Sequence, residues 1–352
     1  MRVILRVLAI VSFAIALASC SSGTSSSASP SRPRVAVSIF PLYDLARRVA
    51  GDRLEVVCVL PPGRSEHGFD PSPREVAAVQ GARAAIVVGL EMDEWAERIV
   101  NGAATGSPPE MLRLGPAIDP RRLTAHEVGL ELDHHEAEEH DEHEAEEHDD
   151  HGAEEHDDHG AEEHDDHGAE EHDDHEEEGH HHHHGAFDPH FWLDPVRAQT
   201  AVDQMAALFA RIDPEGAAGY TERAQRVRGE LDTLHHELEG RARSWSRHTI
   251  ITFHGSFGYY AERYGLTIAA VIEPFPGREP TPRYLQEVLG AVAASHAAAL
   301  FSEPQLDRHP AQVIADSAHV PLFELDPIGS GRTDSYEALL RANTDVLERA
   351  LR

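Results

Sequence analysis

Residues 249–272 read TIITFHGSFGYYAERYGLTIAAVI, and this stretch decides the fold class. Its β-branched run at 249–253 predicts a buried strand, the segment 256–264 predicts a helix, and 266–272 predicts a second strand. The alternation continues toward the C-terminus, with helices and strands predicted over 283–294, 298–302, 311–318 and 320–325. Strands that alternate with helices are typical of a parallel sheet covered on both faces. We therefore expect residues 247–352 to form one α/β lobe.

A second alternating series lies near the start of the chain. Apolar runs alternate there with helical patterns. They predict strands over 35–39, 54–60 and 84–89 and helices over 42–50 and 74–80. This series is again typical of a parallel α/β sheet. Residues 34–132 and 185–213 are expected to form this N-terminal lobe together.

A long helix is expected between the two series. Asp213-Pro214 is a residue pair that often begins a helix, because Asp caps the first turn and Pro fits the first helical position. Apolar residues then recur at spacings of three and four, at Tyr220, Ala224, Val227, Leu231, Leu234 and Leu238. We predict that residues 214–246 form one long helix that bridges two doubly wound α/β lobes.

The charge of the chain is concentrated in one segment. The chain has 63 acidic residues, 30 basic residues and 27 His, with a net charge of −33, and residues 133–184 hold 26 of the acidic residues and 17 of the His. An octad that reads HGAEEHDD, or a close variant of it, repeats there with almost no apolar residue. Because such a segment cannot bury a core, we expect a disordered insertion that interrupts the N-terminal lobe without adding a domain.

The rest of the chain is only mildly acidic, with 37 acidic residues against 30 basic ones. A surface with this balance offers no basic region for phosphates, which argues against a nucleic-acid partner. Every basic residue is Arg. Chemistry that needs a lysine amine, such as Schiff-base formation, is therefore excluded.

The N-terminus has the layout of an export signal. A basic residue precedes a mostly apolar stretch, and Leu17-Ala18-Ser19-Cys20 resembles the lipobox of bacterial lipoproteins. We expect residues 1–19 to be a lipoprotein signal peptide, Cys20 the lipidated first residue, and the Ser-rich residues 20–33 a tether. A plain signal peptide with a chance cysteine is the alternative. The lipid would be the sole membrane contact of a protein in the periplasm or at the cell surface. Cys58 would then have no partner and is expected to be a buried strand residue.

Four side chains lie where metal ligands are expected. His67 lies in the loop after one predicted strand, His190 lies just before a helix, and His254 and Asp326 directly follow two further strands. The carboxyl ends of parallel strands face the ligand crevice of an open α/β sheet. Three imidazoles and one carboxylate suit a borderline divalent ion, most naturally Zn²⁺. The sequence therefore predicts a zinc site in the interlobe cleft. Asp326 could instead belong to an ordinary turn, with a water completing the coordination.

The other histidines outside the insertion match no ligand context. They are interpreted as surface or packing residues, and they are His126, His235, His236, His248, His296, His309 and His319. Trp192 and Phe257 are expected to line the cleft wall or the core, where they exclude water.

Five stretches of the chain resemble one protein family. They are SIFPLYDLA at 38–46, HGFDPSP at 67–73, DPHFWLDP at 188–195, HGSFGY at 254–259 and DPIG at 326–329. In their order and spacing they resemble the metal-binding solute-binding proteins of ABC transporters for zinc and manganese, the ZnuA/TroA group (cluster A-I, bacterial solute-binding protein family 9). The resemblance spans residues 34–352 apart from the insertion.

The resemblance implies a metal ion bound between two lobes that a rigid helix bridges. It also implies partners encoded elsewhere, an ABC permease and its ATPase. Members that resemble manganese transporters tend to have Glu where this chain has His254, so Zn²⁺ is implied rather than Mn²⁺. Zinc members often carry a His- and acid-rich loop where this chain has residues 133–184. Glu66 resembles an acidic residue beside the first histidine of some zinc members, and its contact with the metal is left open.

The insertion contains candidate auxiliary ligands. Its octads place His pairs three residues apart, as at His140 and His143, His148 and His151, and His156 and His159. Each ion bound there must also order the chain, so the affinity of each pair should be far below that of the cleft. Two roles stay open, auxiliary metal capture and a solvated spacer. With a His pKa of about 6.5, the insertion would change from a charge of −26 toward −9 in acid, so capture should weaken there.

The predicted function is an extracytoplasmic, high-affinity zinc receptor that delivers Zn²⁺ to an ABC permease, as a monomer and without enzymatic activity. Four protein ligands would leave no open position for the activated water that a catalytic zinc needs. A zinc hydrolase would favour a His-Glu-x-x-His helix, and the segment from His143 to His148 has one residue too many for it. The alternatives are a manganese or other divalent-metal receptor of the same class, and a metal buffer or adhesin lipoprotein without transport.

Overall fold

The computed structural model describes residues 32–128 and 187–352. The expectations for the signal peptide, for Cys20, for most of the tether and for the 133–184 insertion concern residues outside these ranges. Within the described ranges, every helix is too short or too polar to cross a membrane.

The first lobe is built on a parallel sheet of four strands in the order β2-β1-β3-β4. The strands are Arg34–Val37 (β1), Glu55–Cys58 (β2), Ala84–Val87 (β3) and Glu110–Arg113 (β4). The helices are Phe40–Ala50 (α1), Pro73–Ala78 (α2), Glu94–Gly102 (α3) and Ala125–Val128 (α4). The two central strands, β1 and β3, are the most apolar and the most buried, as expected for strands covered on both faces.

Three elements of this lobe, α3, α4 and β4, were not predicted from the sequence. β4 reads EMLR and is partly exposed at the edge of the sheet, so it lacks the continuous apolar run of a central strand. α3 buries Trp95 and Ile99 on one face but is only nine residues long. Short elements of this kind give weak periodic signals.

Cys58 ends the opposite edge strand, β2. It is a strand residue, as expected, but it is half-buried because β2 has no neighbour on its outer side. Its Sγ lies 3.4 Å from the backbone oxygen of Leu60. Burial raises the pKa of the thiol to about 12, so this cysteine is unreactive at neutral pH.

Two long helices connect the lobes, Pro195–Ile212 (α5) and Ala217–Ala242 (α6), and they pack against each other. The side chain of Asp194 caps α5 by accepting a hydrogen bond from the backbone N–H of Val196. The apolar face predicted for α6 is the buried one, formed by Tyr220, Ala224, Val227, Leu231, Leu234 and Leu238. The bridge is thus a helix pair, of which the sequence showed α6 most clearly.

The start of α6 differs from the sequence expectation, because the side chain of Asp213 does not cap the helix. Its carboxylate accepts hydrogen bonds from Nε and Nη2 of Arg53, at 2.6 and 2.7 Å, and from the hydroxyl of Tyr220 at 2.5 Å. A guanidinium is a stronger partner than a backbone amide, and it lowers the pKa of Asp213 to about 2. Pro214 begins a short 3₁₀ turn, and α6 begins at Ala217. Asp213 therefore fastens this turn to the first lobe.

The second lobe repeats the plan of the first. Its four parallel strands have the order β6-β5-β7-β8. The strands are Thr249–Thr252 (β5), Thr267–Val271 (β6), Leu300–Ser302 (β7) and Leu322–Glu324 (β8). The helices are Gly258–Tyr264 (α7), Pro282–Ser295 (α8), His309–Ala318 (α9) and Tyr336–Leu351 (α10). In both sheets the strand order reverses beside the first strand, and ligands of open α/β sheets bind at such a switch point.

One hydrophobic core runs through both lobes. It includes Val35 of β1, Phe209 of α5, Leu234 of α6, Tyr260 of α7 and Leu340 of α10. A second, smaller core lies within the C-terminal lobe, beneath α8 and α9. Because the lobes share a core, separating them would expose apolar surface at about 25 cal/mol per Å². The two doubly wound α/β lobes predicted from the sequence are confirmed, whereas the single bridging helix is replaced by a pair of long helices.

Candidate metal centre

Loops at the carboxyl ends of strands from both lobes converge at one place. Glu66 and His67 lie in the loop after β2, and His254 lies two residues beyond the end of β5. His190 precedes a 3₁₀ turn, Phe191–Leu193, that leads into α5. The backbone oxygen of Glu66 accepts a hydrogen bond from Nε1 of Trp95 at 2.8 Å, which fixes the first of these loops.

Three imidazole rings meet through their Nε2 atoms. Nε2 of His254 lies 3.3 Å from Nε2 of His67 and 3.3 Å from Nε2 of His190. Two nitrogens bound to the same tetrahedral zinc ion lie about 3.4 Å apart at ordinary bond lengths. His190 and His254 are each 3% exposed. The three rings are therefore spaced and enclosed as ligands of a single ion would be.

Glu66 adds a carboxylate to this group. One ligand atom from each of Glu66, His67, His190 and His254 lies within 4.8 Å of all the others. Oε1 of Glu66 is 3.8 Å from Nε2 of His67 and has no hydrogen-bond partner among the described residues. Burial raises the pKa of Glu66 to about 7. A buried oxygen that accepts no hydrogen bond is destabilising, and a bound cation would offset that effect.

Asp326, the carboxylate that the sequence suggested, lies outside this group of four. Its Oδ1 accepts hydrogen bonds from Nε2 of Gln305 at 2.7 Å and from the backbone N–H of Gly329 at 2.8 Å. Its Oδ2 accepts one from the backbone N–H of Ser330 at 2.6 Å. Both oxygens therefore hold the turn after β8 in place. Asp326 is still close enough for its charge to help raise the pKa of Glu66.

Two buried carboxylates hold the imidazoles from behind. Nδ1 of His190 is 2.8 Å from Oδ1 of Asp188, and Nδ1 of His254 is 2.8 Å from Oε1 of Glu303. Asp188 accepts a hydrogen bond from its imidazole, whereas Glu303 and His254 form a close ion pair without hydrogen-bond geometry. A carboxylate beside Nδ1 favours the proton there and leaves the Nε2 lone pair for a metal. Burial alone would lower the pKa of His254, but Glu303 outweighs it and the pKa is raised. A metal ion must therefore compete with a proton at this ring.

Glu303, like Asp188, is a candidate site residue that was not predicted from the sequence. It directly follows β7, which is the same position relative to a strand that identified His254 and Asp326. The signal was therefore present in the sequence. Ser256 donates a hydrogen bond from its hydroxyl to Oε1 of Glu303 at 2.8 Å, which fixes the carboxylate against His254.

Arg121 offsets the charge of Asp188, the carboxylate behind His190. Its Nη1 lies 2.6 Å from Oδ2 of Asp188 and 2.8 Å from Oε1 of Glu127. Burial nevertheless raises the pKa of Asp188 to about 6. A Cβ at Gly258 would lie 1.7 Å from Nη1 of Arg121. The glycine is therefore required for Arg121 to reach Asp188.

Further hydrogen bonds join the two lobes beside the site. Nε1 of Trp192 donates to the backbone oxygen of Pro327 at 2.7 Å, and the hydroxyl of Tyr259 donates to the backbone oxygen of Asp188 at 3.1 Å. Trp192 and Phe257 are both buried, as expected for residues of the core or cleft wall. The position of His190 thus depends on contacts with the second lobe.

A cavity of about 970 Å³ adjoins His67. It is lined by Phe69 and Trp95 of the first lobe, by Phe187 where the chain returns from the insertion, and by Pro276 of the second lobe. It gives solvent a route to the first of the three histidines. The candidate auxiliary ligands His140, His143, His148, His151, His156 and His159 lie outside the described residues.

The fold and the site define a class, the solute-binding proteins that hold a metal ion between two α/β lobes. Residues 35–350 match the family described as zinc-uptake complex component A, periplasmic, and the chain belongs to this family. The resemblance noted in the sequence is thereby confirmed.

Relatives support the same assignment. The chain is 31% identical over 329 residues to the high-affinity zinc uptake system protein ZnuA of Brucella abortus (strain 2308), covering 93% of this chain and 94% of that protein. It is 34% identical over 321 residues to the protein of the same name from Paracoccus denitrificans, covering 90% of each. A crystal structure of ZnuA shares the fold with a TM-score of 0.68 at 19% identity, over 91% of this chain and all of that one.

Proposed function

We propose that this protein captures Zn²⁺ outside the cytoplasm and delivers it to an ABC permease and its ATPase for import. The observation that carries the proposal is the meeting of three Nε2 atoms from both lobes beside a buried carboxylate oxygen that accepts no hydrogen bond within the described residues. Zn²⁺ is the transported substrate. The site must therefore bind the ion tightly and also release it.

His67, His190 and His254 would bind the ion through Nε2, with a carboxylate as the fourth ligand. Glu66 suits this position, since its Oε1 accepts no hydrogen bond within the described chain. Asp326 is the alternative fourth ligand. Its oxygens would first have to leave Gln305 and the backbone amides of Gly329 and Ser330.

The ligand set favours Zn²⁺ over Mn²⁺. Imidazole suits zinc, whereas manganese prefers carboxylate, carbonyl and water oxygens, and His254 supplies nitrogen at the third position. Four protein ligands also complete a tetrahedral shell. With no position left for an activated water, the arrangement supports a binding protein rather than a zinc hydrolase.

Release would come from movement of the ligand loops rather than from separation of the lobes. The shared core and the bond from Trp192 to Pro327 hold the lobes together. The loop that carries Glu66 and His67 contains no regular helix or strand between residue 59 and residue 72. A permease that displaces this loop would remove two of the four ligands at once.

The insertion would act as an auxiliary metal-capture segment. The described chain ends at residue 128 and resumes at residue 187, where Phe187 lines the cavity beside His67. Asp188 donates its backbone N–H to the oxygen of Arg121 at 2.9 Å, so the base of the insertion is held beside the site. Zinc that dissociates from the octads would be released close to the cleft. In the alternative, a solvated spacer, removing the segment leaves uptake at low zinc unchanged.

The mature chain would act as a monomer, anchored through a lipid on Cys20 and a tether of residues 20–33. The anchor would keep the receptor near its permease. Mass spectrometry of the membrane fraction tests this directly, since Cys20→Ser should abolish the lipid and release the chain from the membrane.

The function is tested by zinc titration of the mature chain against a chromophoric chelator, with and without residues 133–184. One tight site should survive the deletion and should be lost in His67→Ala and in His254→Ala. His309→Ala, an exposed histidine at the start of α9, is the matched control and should bind normally. Loss of all tight binding with the insertion would overturn the proposal.

The fourth ligand is identified by a pair of variants that remove one charge each. Glu66→Gln should weaken zinc binding more than Asp326→Asn, since Glu66 belongs to the group with the three histidines. A larger loss in Asp326→Asn would show that the turn after β8 moves and supplies the ligand.

A further inference from the structure

A second group of metal-ligating side chains lies on α6, outside the cleft. It consists of His235, His236 and Glu239, which fall within about one helical turn. One ligand atom from each lies within 4.8 Å of the other two. In residues 32–128 and 187–352, this is the one group besides the cleft in which three such side chains come together.

The carboxylate of Glu239 faces His236. Oε2 of Glu239 is 3.9 Å from Nδ1 of His236, which is too long for a hydrogen bond and slightly wider than the spacing of two ligands on one ion. The other oxygen, Oε1, lies 2.9 Å from Nη2 of Arg243. Arg243 therefore holds the carboxylate with Oε2 directed toward the imidazole.

A second carboxylate lies at the opposite nitrogen of His236. Oδ2 of Asp232 is 3.7 Å from Nε2 of His236. When a metal ion binds Nδ1 beside Glu239, the proton of the ring lies at Nε2, where the charge of Asp232 favours it. The cleft has a carboxylate behind His254 in a comparable position, but at 2.8 Å rather than 3.7 Å.

His235 supplies the second imidazole. Its ring lies 5.1 Å from the ring of His236 and 5.9 Å from the ring of Tyr264 on α7. Its Nδ1 is buried and has no hydrogen-bond partner among the described residues, and a bound cation would satisfy such an atom. Burial, together with the charge of Arg263, lowers the pKa of His235.

The backbone beneath the group is rigid, and the charge around the group is acidic. Leu234 and Leu238 on the inner face of α6 are buried, so the helix is ordered before any metal arrives. Arg263 is the second nearby cation, and Asp194 pairs with it at 2.7 Å. The acidic groups Asp232 and Glu239 then face Arg243 alone, which leaves the group acidic.

We propose that His235, His236 and Glu239 form a second binding site for Zn²⁺ on the outer face of α6. The side chain of His236 is 65% exposed, so water would complete the coordination and exchange would be fast. Two nitrogens and one oxygen on one turn give a weaker site than the cleft. The site lies outside the transported path and does not depend on the function proposed above.

The site is tested in the full mature chain by following the reaction of each histidine with diethyl pyrocarbonate by peptide mass spectrometry. Resolution by peptide separates His235 and His236 from the histidines of the insertion and the cleft. At free Zn²⁺ about tenfold above the dissociation constant of the site, both residues should react about tenfold more slowly than without zinc. The exposed His319 should react at the same rate in both conditions.

Two variants on the same helix make the test specific. Glu239→Gln should abolish the zinc protection of His235 and His236. Glu237→Gln, which removes a neighbouring carboxylate that is paired with Arg341 at 2.8 Å, should leave it intact. The proposal would be overturned if zinc at millimolar concentration did not protect His235 and His236 in the wild-type chain. It would also be overturned if protection were equal in Glu239→Gln and the wild type. Neither result would bear on zinc binding in the cleft.

Discussion

The cleft and the α6 group use the same residue types in opposite surroundings. In the cleft, His254 is 3% exposed and Glu303 lies 2.8 Å behind its ring. On α6, His236 is 65% exposed and Asp232 lies 3.7 Å behind its ring. Charges attract more strongly where water is excluded. The comparison teaches that burial and a close carboxylate partner, rather than the ligand types alone, separate a transport site from a weak surface site.

Removal of a cleft ligand should have the largest effect. Structural zinc sites with four ligands bind with roughly 10–16 kcal/mol, so one ligand is worth about 3 kcal/mol, or about a hundredfold in affinity. We expect His254→Ala to weaken cleft binding by at least this factor in a chelator competition assay. His236→Ala measured in the same way should lack such an effect on the tight site. If His254→Ala and His236→Ala weakened the tight site equally, the cleft and the α6 group could not be separate sites of different strength.

The carboxylate behind His254 should matter next. Removal of such a partner weakens metal binding by about 10- to 100-fold. Glu303→Ala is expected to fall in this range, and Glu303→Gln should be milder because its amide oxygen still accepts the Nδ1 proton. The absorption spectrum of the Co²⁺-substituted cleft reports whether the geometry has changed. Glu324→Ala is the control, since Glu324 ends the neighbouring strand β8 but pairs with Arg332 rather than with a histidine. An unchanged affinity in Glu303→Ala would show that burial alone sets the strength of the site.

Acid should weaken the cleft through Glu66. Its pKa is raised to about 7, so below that pH the metal-free carboxyl carries a proton that zinc must displace. Wild-type affinity should therefore fall more steeply than that of Glu66→Gln, by up to about tenfold per pH unit. The same shift makes the metal-free fold less stable as the pH rises from the usual carboxyl value of 4.5 toward 7. The measurement is zinc affinity as a function of pH in the wild type and in Glu66→Gln. If the two affinities fell with the same slope, Glu66 would not be a ligand.

The smallest effect is expected when Arg243, the cation that pairs with Glu239 on α6, is removed. Arg243 is exposed, and an exposed ion pair contributes about 0.2–1 kcal/mol. Arg243→Ala should tighten zinc at the α6 group by less than about fivefold, because a repelling charge near the ion is removed. The protection assay on His236 measures this change. A loss of protection comparable to that in Glu239→Gln would mean that Arg243 is essential for orienting the carboxylate.

Much of the fold could be predicted because its signals are local. The β-branched run that ends before His254 and the apolar face of α6 from Tyr220 to Leu238 both depend on residues a few positions apart. β4 and α3 were missed because a short element at an edge shows little periodicity. The prediction that Asp213 caps α6 was wrong because Arg53, 160 positions away, is the stronger partner of its carboxylate.

The sequence by itself determined the parallel α/β class, the long helix, and the three histidines as ligand candidates, since strand ends and apolar spacing are written in consecutive residues. Only the tertiary structure decided that Glu66 faces the histidines while Asp326 holds a turn, and that Glu303 and Asp188 hold two of the rings. The physical reason is that a carboxylate acts through the atoms within about 4 Å of it, and those neighbours are set by packing across both lobes.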